Sequence, residues 1–137
     1  MNRLLVSAPF FFALLGARGS CARSTSGPEL AGDWGGEHIG LVVSTRGATV
    51  EYDCAHGTID EPLAPDGRGR FEARGTHTRE HGGPVREGEA ADTHPARYEG
   101  VVQGPAMALT VTLTDTVRAI GTYTLTCGDL PHVFKCL

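Results

Sequence analysis

The chain has 137 residues with 12 basic and 16 acidic side chains, six histidines and four cysteines, and it carries 19 glycines and eight prolines. Arg3 and Arg18 precede residue 22 and every acidic residue follows it, so the remainder holds 10 basic against 16 acidic groups, a balance that argues against nucleic acid or an anionic membrane surface as partner. One domain of roughly 110 residues is long enough to bury its own core, and the glycine and proline content suits short strands joined by turns better than packed helices.

The start, Met1-Asn2-Arg3 followed by an apolar run over residues 4–16, has the form of a secretory signal. The run is too short and too poorly flanked for a transmembrane span. Residues 1–22 are therefore expected to be a signal peptide, with small residues placed for cleavage after Gly19 or Ala22. Cys21 offers a second route, a lipid anchor: Gly19 and Ser20 fit the small-residue box of bacterial lipoproteins, although Arg18 stands where leucine is usual. Residues 23–29 read as a flexible tether, and residues 30–137 as the folded domain.

From Leu30 the pattern has period two. Ile39, Leu41 and Val43 alternate with more polar neighbours, Thr45-Arg46-Gly47 turns, and Ala48, Val50 and Tyr52 complete a hairpin. Cys54-Ala55-His56-Gly57 leads into a further short strand. Phe71, Ala73, Gly75 and His77 share one face of the next, and residues 79–95, charged and without periodicity, read as a long exposed loop. A strand follows around Tyr98, and the clearest one sets Met107, Leu109, Val111 and Leu113 against threonines. Another runs from Ile120 to Cys127, and residues 132–137 are expected to add a last short strand. The pattern predicts an all-β domain, a single antiparallel meander of about seven to eight strands closing into a small barrel, because closure removes exposed strand edges.

Leu30-Ala31-Gly32-Asp33-Trp34 resembles the Gly-x-Trp opening strand of the lipocalin, avidin and related small-barrel group, and the resemblance implies a barrel with Trp34 closing one end. Tyr52-Asp53-Cys54 and Ala96-Arg97-Tyr98-Glu99-Gly100 are similar to periplasmic lysozyme-inhibitor barrels. The later lipocalin motifs and avidin's set of tryptophans are absent, Trp34 being the only tryptophan. No ligand identity carries over.

In an exported chain the cysteines are expected to form disulfides. A Cys54–Cys136 bond would tie the first hairpin to the C-terminal segment, with a stabilisation of about 4 kcal/mol in the chain-entropy model. Loss or lipidation of Cys21 would then leave Cys127 as a buried apolar residue or a free thiol. His77-x-x-x-His81 has zincin-like spacing but lies where no helix is expected. His38 and His56, in or beside strands of one hairpin region, are the better candidates for a shared polar or metal site, with Asp53 or Asp60 as orienting carboxylate. The sequence does not decide whether a metal is bound, and it holds no cofactor motif.

No nucleophile elbow or phosphate loop is present, and a disulfide at Cys54 would remove the thiolate beside His56, so no enzyme activity is expected. Two classes remain. One is an exported envelope protein acting through the barrel rim and the 79–95 loop as an interaction or inhibitor module for an unknown protein. The alternative is a carrier of a small apolar ligand, its lumen lined by Leu41, Tyr52, Tyr98, Met107 and Leu109. The periplasm, outer envelope or medium is the expected location.

Overall fold

The structure, a computed structural model, describes Cys21 and residues 29–137. The rest of the expected signal segment and most of the tether lie outside the described residues. Among those described, eight strands follow in order: β1 (Gly32–Gly36), β2 (Ile39–Ser44), β3 (Gly47–Tyr52), β4 (Ala55–Ile59), β5 (Arg70–Arg79), β6 (Asp92–Gln103), β7 (Ala106–Leu113) and β8 (Arg118–Cys127). Each pairs antiparallel with the next, and β8 returns to β1 to close the barrel. No described helix is long and apolar enough to cross a membrane.

The alternation that marks the strands also fills the interior. Leu41 sits opposite Val50, and Ile39 opposite Tyr52, with all four buried. Gly57 belongs to this packing, because a side chain there would collide with the Tyr98 hydroxyl and the Thr76 carbonyl. One barrel end is plugged by Leu30 and Leu63, both buried, whose backbones meet through a 2.7 Å bond from the Leu30 N–H to the Leu63 carbonyl. Burying side chains of this size contributes about 1.5–3 kcal/mol each. The other end carries the β1–β2, β3–β4, β5–β6 and β7–β8 connections, and is called the rim below.

Two elements differ from the sequence expectation. The long loop is shorter, residues 80–91, because β6 already begins at Asp92. Thr93 pairs with Thr78, their hydroxyls 2.8 Å apart, and Pro95 lies opposite Thr76, so polar residues without an apolar rhythm still extend the sheet. Residues 132–137 form no strand beyond a single parallel bridge between Glu37 and His132. The wall is already closed by β1 and β8, so the C-terminal segment runs outside it as a strap. Pro131 rests on Gly40, where a Cβ would come within 2.7 Å of the proline ring. The His132 N–H then donates to Gly36 (3.0 Å), the His38 N–H to His132 (2.8 Å) and the Cys54 N–H to Phe134 (3.2 Å).

The Cys54–Cys136 bond is present, with Cα atoms 5.0 Å apart, and pins the strap to the β3–β4 turn. Cys127 is neither free nor a lone buried thiol: it is bonded to Cys21, with Cα atoms 5.6 Å apart. Two paired cysteines in each bond leave no free thiol and point to an oxidising compartment. The bonds span sequence separations of 82 and 106 residues, and each taken alone stabilises by about 4–5 kcal/mol in the chain-entropy model. Cys136→Ser and Cys127→Ser are therefore both expected to cost about 2–5 kcal/mol in urea unfolding. Peptide mapping without reduction should recover Cys21 with Cys127 and Cys54 with Cys136; a peptide joining Cys127 to Cys136 would contradict the strap.

Candidate functional site at the barrel rim

Two tight turns build the centre of the rim. Glu37-His38 and Asp53-Cys54 each link their strands in two residues, and the second residue of each adopts positive φ, 67° at His38 and 51° at Cys54. Because Ile39 pairs with Tyr52, the register sets His38 beside Asp53, and His38 Nδ1 lies 2.6 Å from Asp53 Oδ2. The other Asp53 oxygen accepts the Phe134 N–H at 2.8 Å. That backbone bond, followed by His38, holds the Asp53 carboxyl below its ordinary range. Asp53 thus joins the first turn to the strap.

His56 takes a different partner. Its Nδ1 lies 2.7 Å from Glu80 Oε1, and the same oxygen accepts from Lys135 Nζ at 3.3 Å. The His56 bond is the main reason the Glu80 carboxyl is held low. Lys135, the only lysine, also donates to the Ala55 carbonyl (3.0 Å) and pairs with Glu51. Partial burial works against its charge, but the bonds to Glu51 and Glu80 outweigh this and raise its pKa. Asp60 stands apart, accepting from Thr58 Oγ1 at 2.9 Å. The expected set thus separates into His38 with Asp53, His56 with Glu80, and Asp60 in a local bond. Among the described residues no three His, Cys, Asp or Glu side chains gather so as to hold a metal ion.

The pattern recurs around the whole rim. His81 Nε2 meets Glu89 at 2.5 Å, His94 meets Asp115 at 2.6 Å and Asp92 at 3.0 Å, and His132 meets Glu37 at 2.7 Å. His94–Asp115 links β6 to the β7–β8 turn, and His132–Glu37 links the strap to the β1–β2 turn. Five of the six histidines are thereby paired with carboxylates at one end. His77 is the exception: buried within β5 rather than on a helix with His81, it packs 5.0 Å from the Tyr52 ring, and its Nδ1 has no partner. The Tyr52 hydroxyl donates to that of Tyr98 (3.2 Å), which donates to the Thr76 carbonyl (2.6 Å). Burial raises both phenols, Tyr98 to about 12.

The carboxylates Glu80, Glu89, Asp115 and Glu37 and the cation Lys135 were not among the expected site residues. Only the concentration of histidines hinted at such a set. Beneath the β5–β6 loop lies a pocket of about 370 Å³, with His56 and Thr78 on the wall and Val85 and Ala90 on the loop. Val85 remains 75 % exposed there.

These pairs give the fold a pH signature. The His81 pKa is raised by its bond to the Gly82 carbonyl and then by Glu89, and that of His94 by Asp115 and then Asp92. A histidine raised on folding contributes stability that is full below its unfolded value, near 6.5, and is lost as pH rises through the folded value. Burial lowers His77, with the charges of His94 and Arg79 adding to the effect, so its contribution is present above about 6.5 and lost below it. Asp53, Glu80, Glu89 and Asp115 are lowered, and their contribution is lost as pH falls through their depressed values. Between about pH 6 and 8, His94→Gln should remove part of the loss of stability on raising pH, whereas His77→Gln should make that loss steeper. Melting temperatures across this range check both; identical profiles for the two variants and the parent would contradict the assignment.

No protein-family model, curated protein or solved structure matches this chain, and the geometry of the rim itself carries the functional reading.

Proposed function

We propose that this is a non-enzymatic exported envelope protein that acts as an interaction or inhibitor module through its barrel rim and β5–β6 loop. The observation that carries the reading is the contrast between lumen and rim. Leu41, Tyr52, Tyr98, Met107 and Leu109, the residues that would line a carrier's lumen, are each at most 2 % exposed and pack against one another in a single core. The rim instead presents paired charges fixed by two short turns and a disulfide-anchored strap, beside a loop that exposes Val85. Pre-organised side chains of this kind lower the ordering cost of binding a protein partner. The thiol beside His56 is consumed in the Cys54–Cys136 bond, which supports a non-catalytic role.

The Cys21–Cys127 bond bears on export. A leader removed after Gly19 keeps Cys21, removal after Ala22 discards it, and a thioether-linked lipid on Cys21 uses the same sulfur as the disulfide. Cleavage after Gly19 into the periplasm, outer envelope or medium is the processing that suits this bond.

Photo-crosslinking in an expressing cell separates the readings. A crosslinker at Val85 should trap a protein, while one at exposed Arg68, at the plugged end, should not. Native mass spectrometry of the purified protein should give the polypeptide alone. A stoichiometric apolar ligand lost in Leu109→Trp would favour the carrier alternative, and equal crosslinking from Arg68 would contradict a rim-specific role.

A further inference from the structure

The two disulfides sit in different surroundings. Cys21 and Cys127 are half-buried and pack against the apolar core at the seam, where Cys127 is also held by its pairing with Trp34 and by its own N–H, which donates to Pro105 at 2.8 Å. Cys54 and Cys136 join the outside of the rim instead. Cys54 is half-buried in a two-residue turn, Cys136 is exposed, and neither is among the residues packed against the core. The segment that Cys136 anchors contains no buried residue: Val133 is half-buried, and Phe134, Lys135, Cys136 and Leu137 are exposed. Its other holds on the barrel are polar bonds at the surface. Phe134 accepts the Cys54 N–H and donates its own to Asp53, and Lys135 donates to the Ala55 carbonyl and pairs with Glu51 and Glu80. Surface bonds and ion pairs of this kind contribute too little to order five residues unaided, so the disulfide is what keeps the segment in place.

We infer that the Cys54–Cys136 bond is a site of thiol–disulfide exchange, opened by a dithiol reductant while Cys21–Cys127 stays closed, and that its opening releases residues 133–137 from the rim. Exchange needs a thiolate to reach a disulfide sulfur, and the exposed Cys136 offers the approach that the core denies at the seam. A reagent thiolate attacks Cys136 Sγ, the sulfur–sulfur bond breaks, and Cys54 leaves as a thiolate and is protonated. The reagent's second thiol gives up its proton and attacks the mixed disulfide, and Cys136 leaves as a thiolate that takes up a proton. Two electrons have then passed to the protein, and the reagent is oxidised to a disulfide. Release carries Lys135 away from Glu51 and Glu80 and the Phe134 N–H away from Asp53, so three carboxylates lose a partner and the rim loses the chain's only lysine. Reduction thus makes the rim more acidic without opening the barrel. The inference does not rest on the rim's role in binding, because it concerns one bond and the segment that bond pins.

The probe is dithiothreitol, applied in graded amounts to the oxidised protein at neutral pH. Samples are quenched in acid, alkylated and mapped, and amide exchange is followed on the half-reduced form. Cys54 and Cys136 should be alkylated together, roughly tenfold faster than Cys21 and Cys127. The half-reduced protein should lose protection at the Cys54 and Phe134 amides while β1 and β8 keep theirs. The paired variant Cys54→Ser with Cys136→Ser should show the same loss with no reductant present, and should that variant not fold, the labelling order in the parent still decides. Alkylation of Cys21 and Cys127 first, or of all four cysteines at one rate, would overturn the exchange site. Protection at Cys54 and Phe134 that survives in the half-reduced protein would overturn the release, and so would loss of β1 protection in the same step.

Discussion

The closure between β1 and β8 is the constraint on which the rest of the molecule depends. Two register pairs hold this seam, against ten between β5 and β6, and a barrel that fails to close exposes two strand edges and its lumen. The chain reinforces the point where pairing is thinnest. Cys127, opposite Trp34, is bonded to Cys21, its N–H donates to Pro105 at 2.8 Å, and the next N–H, of Gly128, donates to Asp33 at 2.8 Å. Beyond this knot the strap continues the closure over the β1–β2 and β3–β4 turns and ends at the second disulfide. Both bonds thus act on one weakness, which connects the oxidising compartment they require to the survival of the fold.

The rim follows from the same arrangement. The strap reaches Asp53 through the Phe134 N–H and Glu51 and Glu80 through Lys135, while the β2–β3 register brings His38 to Asp53. Exposed ion pairs contribute little stability one by one, and their value here is positional. His38–Asp53, His56–Glu80, His94–Asp115, His132–Glu37 and Lys135 with Glu51 and Glu80 each join separate elements, while His81–Glu89 braces the β5–β6 loop internally, so the turns, the strap and that loop hold one relative arrangement while the lumen beneath them is filled. A surface fixed in this way is what the proposed role in partner recognition draws on.

Much of the fold was legible because burial imposes period two. The β2–β3 hairpin and β7 announce themselves through Leu41, Val50 and Leu109, residues that face a packed interior. Legibility fails where that constraint is missing. Thr93 and His94 extend β6 at the rim, where neither face meets a core, so the sheet hides inside an apparently irregular loop. The strap looks like a strand by composition but has no open edge to join. The site was legible only in part. His38 and Asp53 belong to neighbouring turns of one hairpin region, and a register argument reaches them. Glu80 lies 24 residues from His56, and Glu37 lies 95 from His132, separations bridged only once the barrel is closed. Cys21 escaped because its fate depended on where a leader is cut, whereas its partner is set by the position of Cys127 on the seam.

Hydrogen exchange followed by mass spectrometry, on oxidised and fully reduced protein, tests the dependence on the seam most directly. The account predicts slow exchange in β1 and residues 128–137 when oxidised, and fast exchange in both after reduction, while β5 to β7 stay protected. Equal protection of β1 and the strap in the two states would contradict it, because the seam would then hold without its covalent support.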